Sequence, residues 1–466
     1  MSLKFYNTLS RHLDEFRSLE EGHVRMYTCG PTVYNFAHIG NFRAYIFEDL
    51  LRRYLKFRGF QVTQVMNLTD VDDKTIRGAN EKKITLSEYT KPYVDAFFED
   101  LKTLNIEPAE YYPAATDHIP DMINLIHRLF EKGVAYQSDD GSVYFSFAKY
   151  ANYGRLARLD MSGLRAGARV VQDEYEKENL ADFALWKAWD EKDGDIYWDS
   201  PWGKGRPGWH IECSAMSMRY LGESFDIHTG GVDNIFPHHE DEIAQSEAAT
   251  GKPFAHTWLH CAHLVVDGKK MSKSLGNFHT LRDVLARGYS GREIRYELMA
   301  THYRQALNFT FEALDAARAA LSRLDEFSRR LQDAAKAGET ETDLPAWAVS
   351  SHEKFTTALD DDLNISEALA ALFDLVYAGN KALNDKMVPV GEVWAVLSLL
   401  DEWDQVLGFI RPPEETADPE ALTMLELRQQ ARQSRNWTEA DRLRDELAAR
   451  GWIVQDTPQG PKLKRK

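Results

Sequence analysis

The sequence predicts an α/β protein: a doubly wound parallel sheet with an insertion, then a helical bundle and a small C-terminal domain. Two observations set the sheet. Val24 to Cys29 is a short apolar run that reads as a buried strand, and apolar residues then recur at Phe42, Tyr45, Ile46, Leu50, Tyr54 and Phe57, one face of a helix. Gly59 ends that helix and Phe60 to Leu68 reads as extended, which completes a strand–helix–strand unit. The third observation is length. At 466 residues the chain exceeds one compact core and is expected to divide into roughly three to four domains.

Further along, Gly141 to Ser146 carries a strand signal, whereas Gln172 to Asp199 reads as charged and irregular. Together they mark an insertion between two halves of one sheet. From Phe311 the pattern changes: Leu314, Ala317, Leu321, Leu324, Phe327 and Leu331 stand at helical spacing, and a second helical region covers 348–409 after a linker to Leu344. Ile410 to Pro419, with three prolines, reads as a hinge, and Ala431 to Leu447 as helix–loop–helix. The expected division is therefore 1–115 and 201–310 for the sheet domain, 116–200 for the insertion, 311–409 for the bundle and 415–466 for the terminal domain.

Composition excludes several classes. Hydrophobic residues at 43% and charged residues at 28% rule out disorder throughout. No stretch approaches the ~18 uncharged apolar residues of a membrane helix, and Met1 to Phe16 lacks the apolar run of a signal peptide. Three cysteines cannot build a disulfide framework, so the cytoplasm is the expected compartment. A formal charge of −17 argues against a basic coat, yet Ala421 to Lys466 holds ten Lys and Arg against six Asp and Glu. Such a terminus is either a solvated tail or a surface for nucleic acid.

Two short motifs suit phosphate chemistry. His38-Ile39-Gly40-Asn41 stands where the first helix begins, a place rich in free backbone N–H groups and the positive end of the helix dipole. Taken alone it is more often a plain helix cap. Lys270-Met271-Ser272-Lys273-Ser274, followed by Leu275-Gly276-Asn277, sets two lysines in a Ser/Gly-rich loop, suited to clamping a polyphosphate whose charge grows in the transition state. Its plain alternative is a solvated basic loop. No G-x-G-x-x-G follows the first strand, so a dinucleotide site is not expected there. His238 and Glu242, four apart, would share a helix face, with Cys213 upstream; all three residue types can bind zinc. The spacing matches neither a zinc finger nor a zincin protease. Nothing in it brings in Cys29, and Cys29 and Cys213 by themselves are more often buried structural thiols.

The two phosphate motifs in this order resemble class I aminoacyl-tRNA synthetases. Four flanking stretches narrow the resemblance to the cysteinyl-tRNA synthetase family: Cys29-Gly-Pro-Thr-Val-Tyr34, Asn67-Leu-Thr-Asp-Val-Asp-Asp-Lys74, Gly208-Trp-His-Ile-Glu-Cys-Ser-Ala215 and Phe236-Pro-His-His-Glu-Asp-Glu-Ile243. The resemblance implies a Rossmann-like catalytic domain that activates L-cysteine with ATP to cysteinyl-adenylate, then transfers it to the 3′-terminal adenosine of tRNA(Cys). It implies ATP, with Mg2+, at His38, Asn41, Lys270, Ser272 and Lys273, of which His38, Lys270 and Lys273 are catalytic. Asn41 departs from the family's usual histidine; it can donate a hydrogen bond but cannot carry imidazolium charge. One Zn2+ per chain is implied on Cys29, Cys213, His238 and Glu242, with Cys261 structural. Gly30, Thr69, Trp209, His228 and Asp233 are implied around the amino acid. Arg432, Trp437, Asp441, Arg444 and Asp456 match the anticodon-reading positions, where single-stranded bases stack on rings and meet side-chain donors and acceptors. A monomer with no membrane partner is expected.

A metal suits this substrate. Cysteine and serine differ by one atom, which a shaped pocket separates poorly. A thiolate is a far better zinc ligand than a serine hydroxyl. Two rivals fit part of the pattern. A cysteine:amino-sugar ligase paralogue of mycothiol synthesis would share the zinc and adenylation chemistry without needing a domain after residue 415. A non-catalytic RNA-binding protein with a degenerate synthetase fold would not need an intact Lys270 to Ser274 and four metal-ligand residues.

Overall fold

The computed structural model describes residues 2–159, 169–170, 182–272, 274–335, 342–385, 388–412, 419–457 and 460–465. Four parallel strands form the central sheet in the spatial order Ala255–Cys261, Phe225–Gly231, His23–Thr28, Gln61–Met66. The two strands earlier in sequence lie on one side and the two later on the other. The order thus reverses between His23–Thr28 and Phe225–Gly231, and in an open α/β sheet the crevice outside the strand ends at that point is where ligands bind.

The first crossover is the helix Ile39–Phe57. Its apolar face, Phe42, Tyr45, Ile46, Leu50 and Tyr54, is buried as its spacing predicts, but so are Arg43, Glu48, Asp49, Arg52 and Arg53. Buried charges require partners, and most find them. Asp49 accepts from Arg53 Nε at 2.8 Å and from Arg295 Nη2 at 2.5 Å. Arg295 also donates to the carbonyls of Leu104, Asn105 and Leu407. This knot ties the middle of the first crossover helix to helix Gly291–Met299 and to the end of helix Val390–Leu407.

The insertion forms a separate sheet in which Val143–Phe145 pairs antiparallel with Ala135–Gln137 and Asp182–Ala188. Here the sequence misled. Within the stretch read as irregular, Asp182–Ala188 is a buried strand, because the apolar run Phe183 to Trp186 is short and flanked by charged residues that mask it. The region read as one helical block is three helices, Ala346–Asp360, Ile365–Asn384 and Val390–Leu407. Asp362 and Leu363, both with φ near +55°, break the first junction.

The chain forms two compact units, Met1–Arg411 and Pro412–Lys466. The second holds helices Pro419–Gln433 and Trp437–Ala449 and an antiparallel hairpin of Trp452–Thr457 with Gly460–Arg465, around Ala421, Met424, Leu443, Leu447 and Trp452. The basic terminus is thus two helices and a hairpin rather than a loose tail. Among the described residues no helix is long and apolar enough to cross a membrane.

Candidate active site and metal centre

Cys29 follows the strand His23–Thr28 at the point where strand order reverses, and its N–H donates to the Thr229 carbonyl of the neighbouring strand. Helix Trp209–Leu221 brings Cys213, and helix His238–Thr250 brings His238 and Glu242 one turn apart. The donor atoms of Cys29, Cys213, His238 and Glu242 lie within 4.8 Å of one another. A tetrahedral zinc site sets its donors about 3.3–3.8 Å apart, so modest adjustment suffices. The chain brings together the four residues that the family resemblance implied and that spacing alone could not.

A second donor group shares two of these residues: Cys29, His228, His239 and Glu242. His239 Nε2 lies 3.3 Å from Cys29 Sγ. His239 was not among the expected site residues; as the immediate neighbour of His238 on a helix it gave no spacing signal. Glu242 joins the two groups, with Oε1 3.0 Å from His238 Nε2 and Oε2 2.9 Å from His228 Nε2.

The electrostatics of the two groups differ. Burial opposes ionisation of Cys213, yet the hydrogen bond from Cys29 and the nearby His238 draw its thiol down to about 6. That same bond, then burial, pushes the Cys29 thiol well up. Burial also works against His238, but Glu242 and Cys213 outweigh it and lift the imidazole to about 10. Glu242 is held near 2 by His228 and His238 in spite of burial. His239 is kept neutral by burial and by the surrounding imidazoles. The first group thus holds the lowered Cys213 thiol and the raised His238 imidazole, which must release its proton to ligate a metal, and both groups share the Glu242 carboxylate.

Around this cluster the expected pocket residues each have a place. The Gly30 N–H donates to Asn67 Oδ1 at 2.9 Å, and any Cβ at Gly30 would lie 1.8 Å from the Asn67 carbonyl oxygen. Only glycine fits so close an approach. Asn67 Nδ2 donates to Thr69 Oγ1, which donates on to Glu212. Trp209 stacks on His238 with ring centres 4.1 Å apart, and His228 stacks on Trp258 at 4.5 Å. Asp233 lies in the short turn after Gly231.

His38 caps the helix Ile39–Phe57: its Nδ1 accepts from the Asn41 N–H at 3.2 Å, while Asn41 Oδ1 accepts from the His38 N–H at 3.0 Å. Asn41 thus has a local structural role, closing the helix cap with His38. The second motif lies against this helix start. Ile39 N–H donates to the His279 carbonyl, His38 bridges Thr280, and a Cβ on Gly40 would stand 3.2 Å from Met271 Cε. Asn277 pins the loop, accepting from the Ser272 N–H and donating to the Lys270 carbonyl. Lys270 is exposed; Lys273 lies outside the described residues.

In the C-terminal unit Trp437 is 58% exposed at the first turn of its helix, so its ring is available for stacking and is not core. Asp441 and Arg444 form an ion pair at 2.9 Å, and Arg432 lies in the last turn of the preceding helix. The Asp456 backbone pairs with Pro461, but its side chain lies outside the described residues.

Residues 15–319 match the family of class I (C) tRNA synthetase catalytic domains, 354–411 the DALR domain, and 415–461 the cysteinyl-tRNA ligase anticodon binding domain. The cysteine–tRNA ligase of Protochlamydia amoebophila is 54% identical over 99% of this chain and 98% of its own length. The chain belongs to the cysteine–tRNA ligase family. The corresponding protein of Chlamydia pneumoniae is also 54% identical over 99% of this chain and 98% of its own. Solved structures confirm the fold at low identity. LeuRS in the Agrobacterium radiobacter K84 ternary complex with tRNA and LeuAMS gives a TM-score of 0.61 at 12% identity, covering 85% of both chains. Methionyl-tRNA synthetase of Mycobacterium tuberculosis gives 0.59 at 15%, covering 83% of this chain and 88% of its own.

One buried group of this family member was not foreseen. Glu48 is 1% exposed beneath the site, where one carboxylate oxygen accepts from Thr229 Oγ1 at 2.8 Å. Burial raises its carboxyl from 4.5 to about 8, more than the Thr229 hydrogen bond lowers it. A carboxyl whose folded value is raised supports the fold fully below its unfolded value, and that support is lost as pH climbs toward the folded one. Glu48→Gln, which cannot ionise, should therefore gain stability relative to wild type between about pH 5 and 8. Urea midpoints across that range check this; parallel curves would mean that Glu48 is solvated.

Proposed function

We propose that this cysteine–tRNA ligase holds a zinc ion on Cys29, Cys213, His238 and Glu242 and builds its adenylate between that metal and the His38 helix start. The observation that carries the reading is the buried donor set at the strand-order reversal, with both phosphate motifs meeting at the same helix. Zinc, when bound, supplies a Lewis acid that takes a thiolate in preference to a hydroxyl. The chain's own residues do the rest. Trp209 and the Gly30–Asn67–Thr69 network shape the pocket, and His228 and Asp233 lie around the amino acid. His38, Lys270 and Lys273 hold the ATP phosphates, helped by Asn41 and Ser272 and with Mg2+ accompanying ATP.

The carboxylate of cysteine attacks the α-phosphorus and pyrophosphate leaves; the terminal hydroxyl of tRNA then takes the cysteinyl group and AMP leaves. Neither step needs a covalent enzyme intermediate. The match of 415–461 to an anticodon binding domain disfavours the amino-sugar ligase reading. We read the protein as a monomer of the cytoplasm. Aminoacylation of unfractionated tRNA with each amino acid in turn, with metal content measured on the same sample, tests the whole reading. Charging by serine, or an absence of zinc in active protein, would overturn it.

The anticodon assignment makes a separate expectation. Trp437→Ala and Asp441→Ala should weaken tRNA charging about tenfold, the order expected for losing one stacked or edge-read base, while tRNA-independent pyrophosphate exchange stays near wild type. Equal loss in both assays would mean that these residues serve folding.

A further inference from the structure

Beside the helix start that carries His38 lies a chain of rings that the function above does not use. Phe36, two residues before His38, is 40% exposed. Its ring meets Tyr93 edge-on at 5.3 Å, and Tyr93 meets Tyr89 at 5.6 Å. A cation stands over each end: the Arg282 guanidinium 5.3 Å from the Phe36 ring centre, and Lys82 Nζ 5.0 Å from that of Tyr89. The seat is built for a ring, since a Cβ on Gly78 would lie 2.2 Å from Tyr89. Tyr89 is also fixed by donating to the Tyr34 carbonyl. Arg282 follows the Lys270 to Ser274 loop and is held against helix Leu86–Thr103 by Glu99 and the Ala96 carbonyl. The row therefore borders both phosphate motifs.

We propose that Phe36, Tyr93 and Tyr89, with Arg282 and Lys82 at the two ends, receive the unpaired 3′ end of the tRNA and guide its terminal adenosine to the adenylate. This rests on the reading that His38 and the Lys270 loop mark the adenylation site. Single-stranded nucleic acid is held without sequence readout by aromatic rings, on which bases stack, and by cations that follow the phosphates. Both are present here beside the helix start that carries His38, where on that reading the adenylate forms. Packing between helices Asp73–Lys82 and Leu86–Thr103 accounts for Tyr89, whereas Phe36, though it touches Tyr93 and Arg282, stays 40% exposed.

The test compares binding of intact tRNA with tRNA lacking its unpaired 3′ nucleotides. Wild-type protein should bind the intact form at least about fivefold more tightly, the lower end of what one stacked base contributes. In Phe36→Ala that ratio should fall toward one, Phe36→Trp should restore it, and Lys82→Gln should reduce its dependence on salt. An unchanged ratio in Phe36→Ala would overturn the proposal and leave the rings as packing. A fall in cysteine-dependent pyrophosphate exchange matching the fall in charging would overturn it too, by assigning Phe36 to the ATP pocket. Failure of the underlying reading looks different: Lys270→Ala would leave exchange intact in an otherwise normal enzyme.

Discussion

Lys273→Ala should lower cysteine-dependent ATP–pyrophosphate exchange by about a hundredfold or more while leaving the fold intact, since a group that meets charge developed only in the transition state is worth that much. Lys270 is exposed, and Asn277 holds the Ser272 N–H and the Lys270 carbonyl in one tight turn. The flanks of the turn are tied to the start of helix Ile39–Phe57 through His279 and Thr280. The start of that helix, with the positive end of its dipole, thus lies beside the loop whose sequence carries both lysines. Substitution of a solvated lysine on an ordinary loop would change exchange by less than about twofold, because exposed charges contribute little. Exchange rates with thermal midpoints for the same variant separate the outcomes; near-normal exchange in folded protein would sink the assignment.

What could be read beforehand follows from how each feature is encoded. The strand–helix–strand unit from Val24 to Leu68 was legible because periodicity and Gly59 lie within one short window. His238 and Glu242 were legible as a pair because one helical turn sets them on one face. Cys29 and Cys213 were not legible from spacing: one follows a strand and the other rides a helix far away in sequence, and only the parallel sheet joins them. Resemblance to a family supplied what periodicity could not. His239 and Glu48 escaped both. A residue next to a ligand on a helix points about 100° away from it, so the approach of His239 to Cys29 depends on how the helix meets the strand. Glu48 reads as the polar face of an amphipathic helix until the sheet covers it. The buried strand Asp182–Ala188 was hidden by its charged flanks.

Replacing Cys29, Cys213, His238 or Glu242 by a residue that cannot ligate should each remove most bound zinc, and cysteine activation with it. Loss of one of four donors leaves a three-donor site, and the buried ionisable groups that remain lose part of their compensation. The effect should therefore reach stability as well as metal content. Two controls decide between the donor groups that share Cys29 and Glu242. His239→Gln should keep its zinc if the metal sits with Cys213 and His238, and should lose it if the metal sits with His228 and His239. Cys261→Ser should keep its zinc in either case, because Cys261 belongs to neither donor group and its buried thiol donates to the backbone carbonyls of Arg43 and Ala262. If the metal makes the choice between thiol and hydroxyl, protein stripped of zinc should lose its preference for cysteine over serine together with its affinity for cysteine. Undiminished preference in metal-free protein would assign the discrimination to Trp209, Thr69 and the shape of the pocket, and would leave the four donors a purely structural role.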